Sequence, residues 1–332
     1  MKACFNAVAA SSLCWGASFL ILAFFNLIAN AEAESIWLAP KAPYPPAHIV
    51  ASPDLMNMFQ PDAPWNIVSA NVAVLKLPTQ FLAWVPSIQL TIILDDLKRR
   101  GIKLGLESLA QSVLNQPVCG QGVEGYGVPE QADKIAAKVI AAGGTISFVA
   151  MDEPLFFGHF FDGLTACHSS VQNVAERVAA IIGRYRAAFP DVVIGDIEPA
   201  GAPMIDGWSD AFTKWVSAFR ITVGTPLGFL HVDSDWNNPN HVSGLIRSIK
   251  LAEQNGLRTG VIYNGRDNDT SNEEWIDHAR INIHDVEAAL GHVPDEVIFQ
   301  SWTPYPSMIM PETNNYTLTG LICYYLHKCA TR

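Results

Sequence analysis

Polar side chains, most of them with acid–base capacity, recur at the ends of short apolar runs along the chain. In order they are Lys76, Glu107, Asp152-Glu153, Asp196 and Glu198, then His231, Asp233 and Asp235, then Tyr263-Asn264, and last Gln300 and Trp302. A carboxyl kept neutral by burial or by a neighbouring carboxylate can give a proton to a leaving oxygen. A second, ionised carboxyl can activate water or attack carbon. Alternate residues of a strand share a face. Asp196 and Glu198 therefore point one way, as do His231, Asp233 and Asp235, whereas Asp152 and Glu153 point to opposite sides unless the strand has ended. Several carboxylates gathered at one place repel each other, a cost that a purely structural site has no reason to carry.

The elements that must position these residues alternate regularly. Strand-like runs are Val72–Leu77, Lys103–Leu106, Ile146–Ala150, Val192–Ile197, Leu227–Val232, Arg258–Tyr263 and Glu296–Gln300. Helical patterns cover 86–100, 129–143, 170–189, 206–222, 240–255 and 271–290. The clearest carries Val171, Val174, Ala175, Val178, Ile182, Tyr185 and Phe189 on one stripe and stops at Pro190. Gly101, Gly143-Gly144, Gly224, Gly256 and Gly291 punctuate helix ends. A first strand is expected within 35–52, at Ile36–Leu38 or His48–Ala51. Eight strands alternating with helices predict an α/β protein built as a single (β/α)8 TIM barrel over residues 34–332. An open doubly wound sheet is the weaker alternative, because no GxGxxG follows an early strand. In a barrel the polar series falls at the C-terminal mouth, where active sites form.

On these residues the chain resembles a known group. Met151-Asp152-Glu153-Pro154 is similar to the Asn-Glu-Pro end of strand four in the large barrel clan of retaining glycoside hydrolases. The resemblance implies that Glu153 is a general acid/base and that Trp302, after strand eight, lies under a sugar ring. Two positions depart from the clan. Asp152 stands where its Asn holds the sugar 2-hydroxyl, and Val261-Ile262-Tyr263-Asn264-Gly265 has no strand-seven nucleophile. Glycosidic cleavage still needs two carboxyls, so Glu153 is expected to work with Glu198 or Asp235. Glu107, Tyr126, Asp152, Asp196, His231, Asp233, Trp236, Asn264, Gln300 and Trp302 are expected to bind substrate, with Trp236 and Trp302 stacking on sugars. The stereochemical course, the sugar, the linkage and endo or exo action stay open. Two other classes remain: a non-catalytic carbohydrate-binding barrel, and a metal-dependent sugar isomerase or epimerase using Glu153, Glu198, His231 and Asp233. The glycosidase reading involves no metal and no cofactor.

Composition narrows the partners. With 49% hydrophobic and 16% charged residues the chain can build a core. A net charge of -11 and no basic run longer than Lys98-Arg99-Arg100 argue against nucleic acid. The expected partner is a carbohydrate, met by a monomer. Before Glu32 the only charge is Lys2, Trp15–Ile28 is almost wholly apolar, and Ala29-Asn30-Ala31 or Ala31-Glu32-Ala33 offers a cleavage site. Residues 1–33 therefore read as a secretory signal, with a secreted or periplasmic product and no membrane attachment after cleavage. An uncleaved anchor is the alternative. Export leaves Cys119, Cys167, Cys323 and Cys329, for which two disulfides, Cys119–Cys167 and Cys323–Cys329, are expected. The first would staple the Gly-rich segment Gly120–Gly127, read as a mobile lid. Sequencing of the exported protein should find a mature N-terminus near Glu34; an intact Met1 on a membrane-bound form would overturn the signal reading.

Overall fold

The computed structural model describes residues 35–42, 52–113 and 118–328. The expected signal segment, the alternative first strand His48–Ala51 and Cys329 lie outside the described residues. Eight parallel strands close into a barrel: β1 (Ser35–Ala39), β2 (Val72–Pro78), β3 (Lys103–Ser108), β4 (Phe148–Asp152), β5 (Val193–Pro199), β6 (Phe229–Asp233), β7 (Arg258–Tyr263) and β8 (Glu296–Gln300). Sequence neighbours pair throughout, and β1 closes the ring by lying between β2 and β8, with Leu38 opposite Leu75 and Phe299. This is the (β/α)8 barrel.

Helices α1 (Ser87–Arg100), α2 (Pro129–Ala141), α3 (Val171–Ala188), α4 (Trp208–Val223), α5 (His241–Gln254) and α6 (Asn272–Leu290) return the chain from β2 onward. Their ends follow local chemistry. Ser170 and Ser271 cap α3 and α6 by accepting from the amides of Asn173 and Glu274 at 3.2 and 3.1 Å. Gly101, Gly224 and Gly291 close α1, α4 and α6 at φ of 74°, 76° and 78°. On α3 the buried stripe is Val174, Ala175, Val178, Ile181, Ile182 and Tyr185. A further helix, α7 (Leu318–Tyr325), follows β8. Its apolar sequence carries no polar face, so no helical period marks it.

Strands β4, β5 and β6 run one or two residues beyond their apolar runs, because the ladder continues through polar residues. Asp152 pairs with Ile197 and Pro199 with Asp233. The inside of the barrel is a separate core of Trp37, Ala39, Val74, Ala150, Ile197, Phe229, Ile262 and Ile298. Trp37 fills its centre, with ring centroids 5.0 Å from Phe148, 5.5 Å from Phe229 and 4.7 Å from His231. Glycine makes room for these rings: a Cβ on Gly195 would lie 2.2 Å from Phe229. No helix among the described residues is long and apolar enough to cross a membrane.

Gly195→Ala should therefore overpack the barrel and destabilise it by about 1–3 kcal/mol. Gly183→Ala, on α3 with nothing within 4 Å of the added carbon, should stabilise by roughly 0.5–1 kcal/mol. Urea unfolding of both variants checks the contrast, and equal midpoints would refute it.

Candidate active site

The pleat decides which acids reach the mouth. From β2, β3, β4, β6 and β8 the last inward polar residues are Lys76, Glu107, Asp152, Asp233 and Gln300, and all line a cavity of about 1090 Å³ at the C-terminal end of the barrel. Glu153 lines it too, one residue past β4. Its φ is 45°, a left-handed conformation that costs a non-glycine residue on the order of 1–2 kcal/mol. Backbone bonds on both sides hold it there, from Glu153 N to Ile197 O at 3.1 Å and from Phe157 N to Glu153 O at 3.0 Å. That twist lets Asp152 and Glu153, adjacent in sequence, face one cavity.

A loop over the mouth adds Glu124 and Tyr126. Its residues Tyr126–Gly127 pair in parallel with Gln111–Ser112. Gly125 must be glycine, since at φ 79° a Cβ would lie 2.4 Å from the Asp152 carbonyl oxygen. Cys119 and Cys167 are disulfide-bonded. Gly120 N donates to Thr165 O at 2.8 Å, and Arg177 Nη1 donates to the Tyr126 hydroxyl at 3.3 Å. The loop is thus tied on both flanks, to the β4–α3 connection and to α3.

Charge at the mouth is crowded and mostly acidic. Lys76 Nζ lies 2.5 Å from Glu107 Oε2, which also accepts from Gln300 Nε2 at 3.2 Å. Burial, then the negative charge of Asp233 and Asp152, pushes the Glu153 carboxyl well above its usual range. Burial followed by Glu107 and Glu124 does the same to Asp152, against the pull of Lys76. Asp233 is raised to about 7, first by burial and then by Glu107. Glu124 is raised by burial and Glu107.

Other residues singled out in the sequence lie elsewhere. Asp196 and Glu198 share a face, as alternation requires, but it is the face toward the helices. Trp215 Nε1 donates to Asp196 Oδ2 at 2.6 Å, and the amides of Leu155 and Phe156 donate to Glu198 at 2.7 and 3.1 Å. Glu198 therefore anchors the chain just after Glu153. His231 points inward but below the mouth, fully buried against Trp37, with Nε2 2.5 Å from Glu296 Oε2. Asp235 is exposed and accepts from Asn237 N at 3.0 Å in a turn. Trp236 is buried against His241 and Tyr263, and Asn264 is buried beside Asn282. Trp302 does line the cavity, its Nε1 donating to Asp267 Oδ1 at 3.2 Å. Among the described residues no cluster of His, Cys, Asp and Glu is arranged to hold a metal ion. Two charged cavity residues, Glu124 and Lys41, went unnoticed in sequence. Glu124 is the one acid in the Gly-rich segment, a signal that could have marked it; Lys41, beside the Pro-rich lead-in, carries none.

No protein family matches the sequence. No curated protein matches it either. Solved structures share its fold. A psychrophilic glycoside hydrolase family 10 endo-β-1,4-xylanase superposes with a TM-score of 0.53 at 13% identity, covering 87% of this chain and 96% of that one. A mutant structure in complex with xylotriose gives 0.51 at 9%, over 83% and 90%. The xylanase XynB from Paenibacillus barcinonensis, complexed with a conduramine derivative, gives 0.50 at 10%, over 84% and 89%. The chain has the barrel fold of these glycoside hydrolases.

The raised carboxyls link stability to pH. Between the ordinary carboxyl range near 4 and the raised value of about 7 for Asp233, the folded state holds protons that the unfolded chain has released. Their stabilising contribution is full below that range and lost as pH rises, by at most about 1.4 kcal/mol per pH unit for each group. Calorimetry should show the unfolding midpoint falling from pH 5 to pH 8, and Asp233→Asn should flatten the fall; a midpoint that rises over that range would contradict it.

Proposed function

We propose that this protein is an exported glycoside hydrolase that cleaves a glycosidic bond in an oligo- or polysaccharide with Glu153 as the proton donor. The observation that carries the reading is the placement of Glu153: at the end of β4, in a strained conformation, in the cavity, its carboxyl pushed up chiefly by burial and by Asp233. A carboxyl kept neutral at working pH can protonate a leaving glycosidic oxygen. Neither sequence contender for its partner lines the cavity, so we assign the second role to Asp233, at the end of β6. Burial and mutual repulsion raise both carboxyls and oppose their ionising together, so the pair holds one proton and titrates as a unit. We assign that proton to Glu153, at the strand-four position that the resemblance gives to the acid/base.

Trp302 offers an aromatic face on the same cavity, suited to a sugar ring. Glu107, Asp152 and Gln300 supply hydrogen-bonding groups for sugar hydroxyls. The fold neighbours make β-1,4-xylan the first substrate to assay. Export is supported by the Cys119–Cys167 bond, which belongs to an oxidising compartment. One observation favours the second reading, a carbohydrate-binding barrel without turnover: β7 presents Ile262 to the cavity, an apolar side chain with no catalytic capacity.

Glu153→Gln should lower turnover by about 10²–10⁴-fold on a glycan with a poor leaving group and spare an activated aryl glycoside by comparison. Asp233→Asn should lower turnover on both and abolish the acid limb of the kcat/KM profile, expected near pH 7. Glu198→Gln should show its effect in unfolding rather than in that profile. Wild-type turnover by Glu153→Gln would end the assignment. Glycan binding with no hydrolysis by the wild-type protein would favour the second reading.

A further inference from the structure

The cavity wall opposite Glu153 carries a cation with no acidic partner. Lys41 lies two residues past β1 and lines the cavity at 4% exposure. Its Nζ donates to Pro304 O at 2.6 Å. An ammonium has three donors, and among the described residues that carbonyl is its one hydrogen-bond acceptor. No described carboxylate lies within ion-pair distance of it. Asp54 attracts it from further off, but the Asp54 carboxylate is taken by the amides of Ile309 and Met310 at 2.9–3.1 Å. Burial outweighs that attraction and brings the Lys41 pKa down to about 8. The other cavity lysine, Lys76, is neutralised by Glu107 at 2.5 Å. A buried cation left with free donors is costly unless a ligand completes its shell.

The position of Lys41 says what such a ligand is attached to. Strands β1 and β8 are neighbours in the barrel. Pro304, which holds the ammonium, is two residues past Trp302, whose indole lines the same cavity. In the ring of strands β8 lies across from β4 and Glu153. The mouth is thus polarised, with carboxyls on β3, β4, β6 and the covering loop, and an aromatic face beside a lysine on the β8–β1 side. We propose that this side is a subsite for a sugar bearing a carboxylate, a uronic acid whose ring meets Trp302 and whose carboxylate accepts from Lys41. Two free N–H donors match the two oxygens of one carboxylate. The inference rests on the carbohydrate reading and narrows it to acidic glycans.

Binding by calorimetry to the protein carrying Glu153→Gln, which slows turnover, separates the possibilities. The probes are a neutral xylo-oligosaccharide, one of the same length with a glucuronic acid branch, and an oligogalacturonide with the acid in its backbone. At least one acidic probe should bind 10-fold or more tighter than the neutral one. Preference for the branched probe would place the carboxylate on a side chain of the glycan, and preference for the oligogalacturonide would place it in the main chain. Adding Lys41→Gln, which can still donate to Pro304, should bring the acidic-to-neutral ratio to about one, while Lys41→Arg should keep most of it. Thermal unfolding of each variant reports that it is folded. Equal binding of acidic and neutral probes, or a ratio untouched by Lys41→Gln, overturns the uronic acid subsite and leaves the carbohydrate reading standing. Failure of every glycan to bind overturns both.

Discussion

In a closed barrel each strand has only two faces, and the pleat assigns every side chain to one of them. Nearly everything at the mouth of this protein depends on that assignment. On β5 the inward residue is Ile197, so Asp196 and Glu198 belong to the layer between sheet and helices, where Trp215 and two backbone amides satisfy them. On β6 the inward residues are His231 and Asp233, so a buried histidine lies in the core beneath an acid at the mouth. A shift of one residue would turn Asp196 and Glu198 inward on β5 and carry Asp233 out of the cavity on β6.

Among the described acids of the cavity, the escape from alternation is at Glu153. Because its backbone turns left-handed directly after β4, two consecutive acids reach the same space. The strain is sustained by its neighbours: Ile197 accepts its amide hydrogen, and Glu198 grips the amides of Leu155 and Phe156. A residue outside the cavity thereby fixes the direction of one inside it. Strain of this kind, over-determined by its surroundings, is characteristic of sites built for chemistry.

Crowding the acids has an electrostatic consequence. Glu107 lies 2.5 Å from Lys76, and the remaining carboxyls share a poorly solvated space with it. Their protons are held more tightly than in water, which opposes folding at high pH. The large apolar layer between sheet and helices, together with Trp37 and its neighbours inside the barrel, supplies the stability that this arrangement spends. The covering loop belongs to the same economy of position: Gly125 lets it rest on the Asp152 carbonyl, and the Cys119–Cys167 bond and Arg177 hold it there with Glu124 in the cavity.

By itself the sequence determined the alternation of strands and helices, and with it the barrel, because apolar period and helix caps are local properties of consecutive residues. It also placed Glu107, Asp152, Glu153, Asp233, Gln300 and Trp302 at strand ends, and alternation grouped Asp196 with Glu198. The direction in which each group faces was decided by tertiary structure alone. Inward and outward faces of β5 both hold residues that a local pattern can accept, and only closure against the neighbouring strands and α4 chooses between them. The same holds for Lys41 and Glu124. They lie in segments without periodicity, and they reach the cavity because β8 and the disulfide-tied loop come to it from positions far away in sequence.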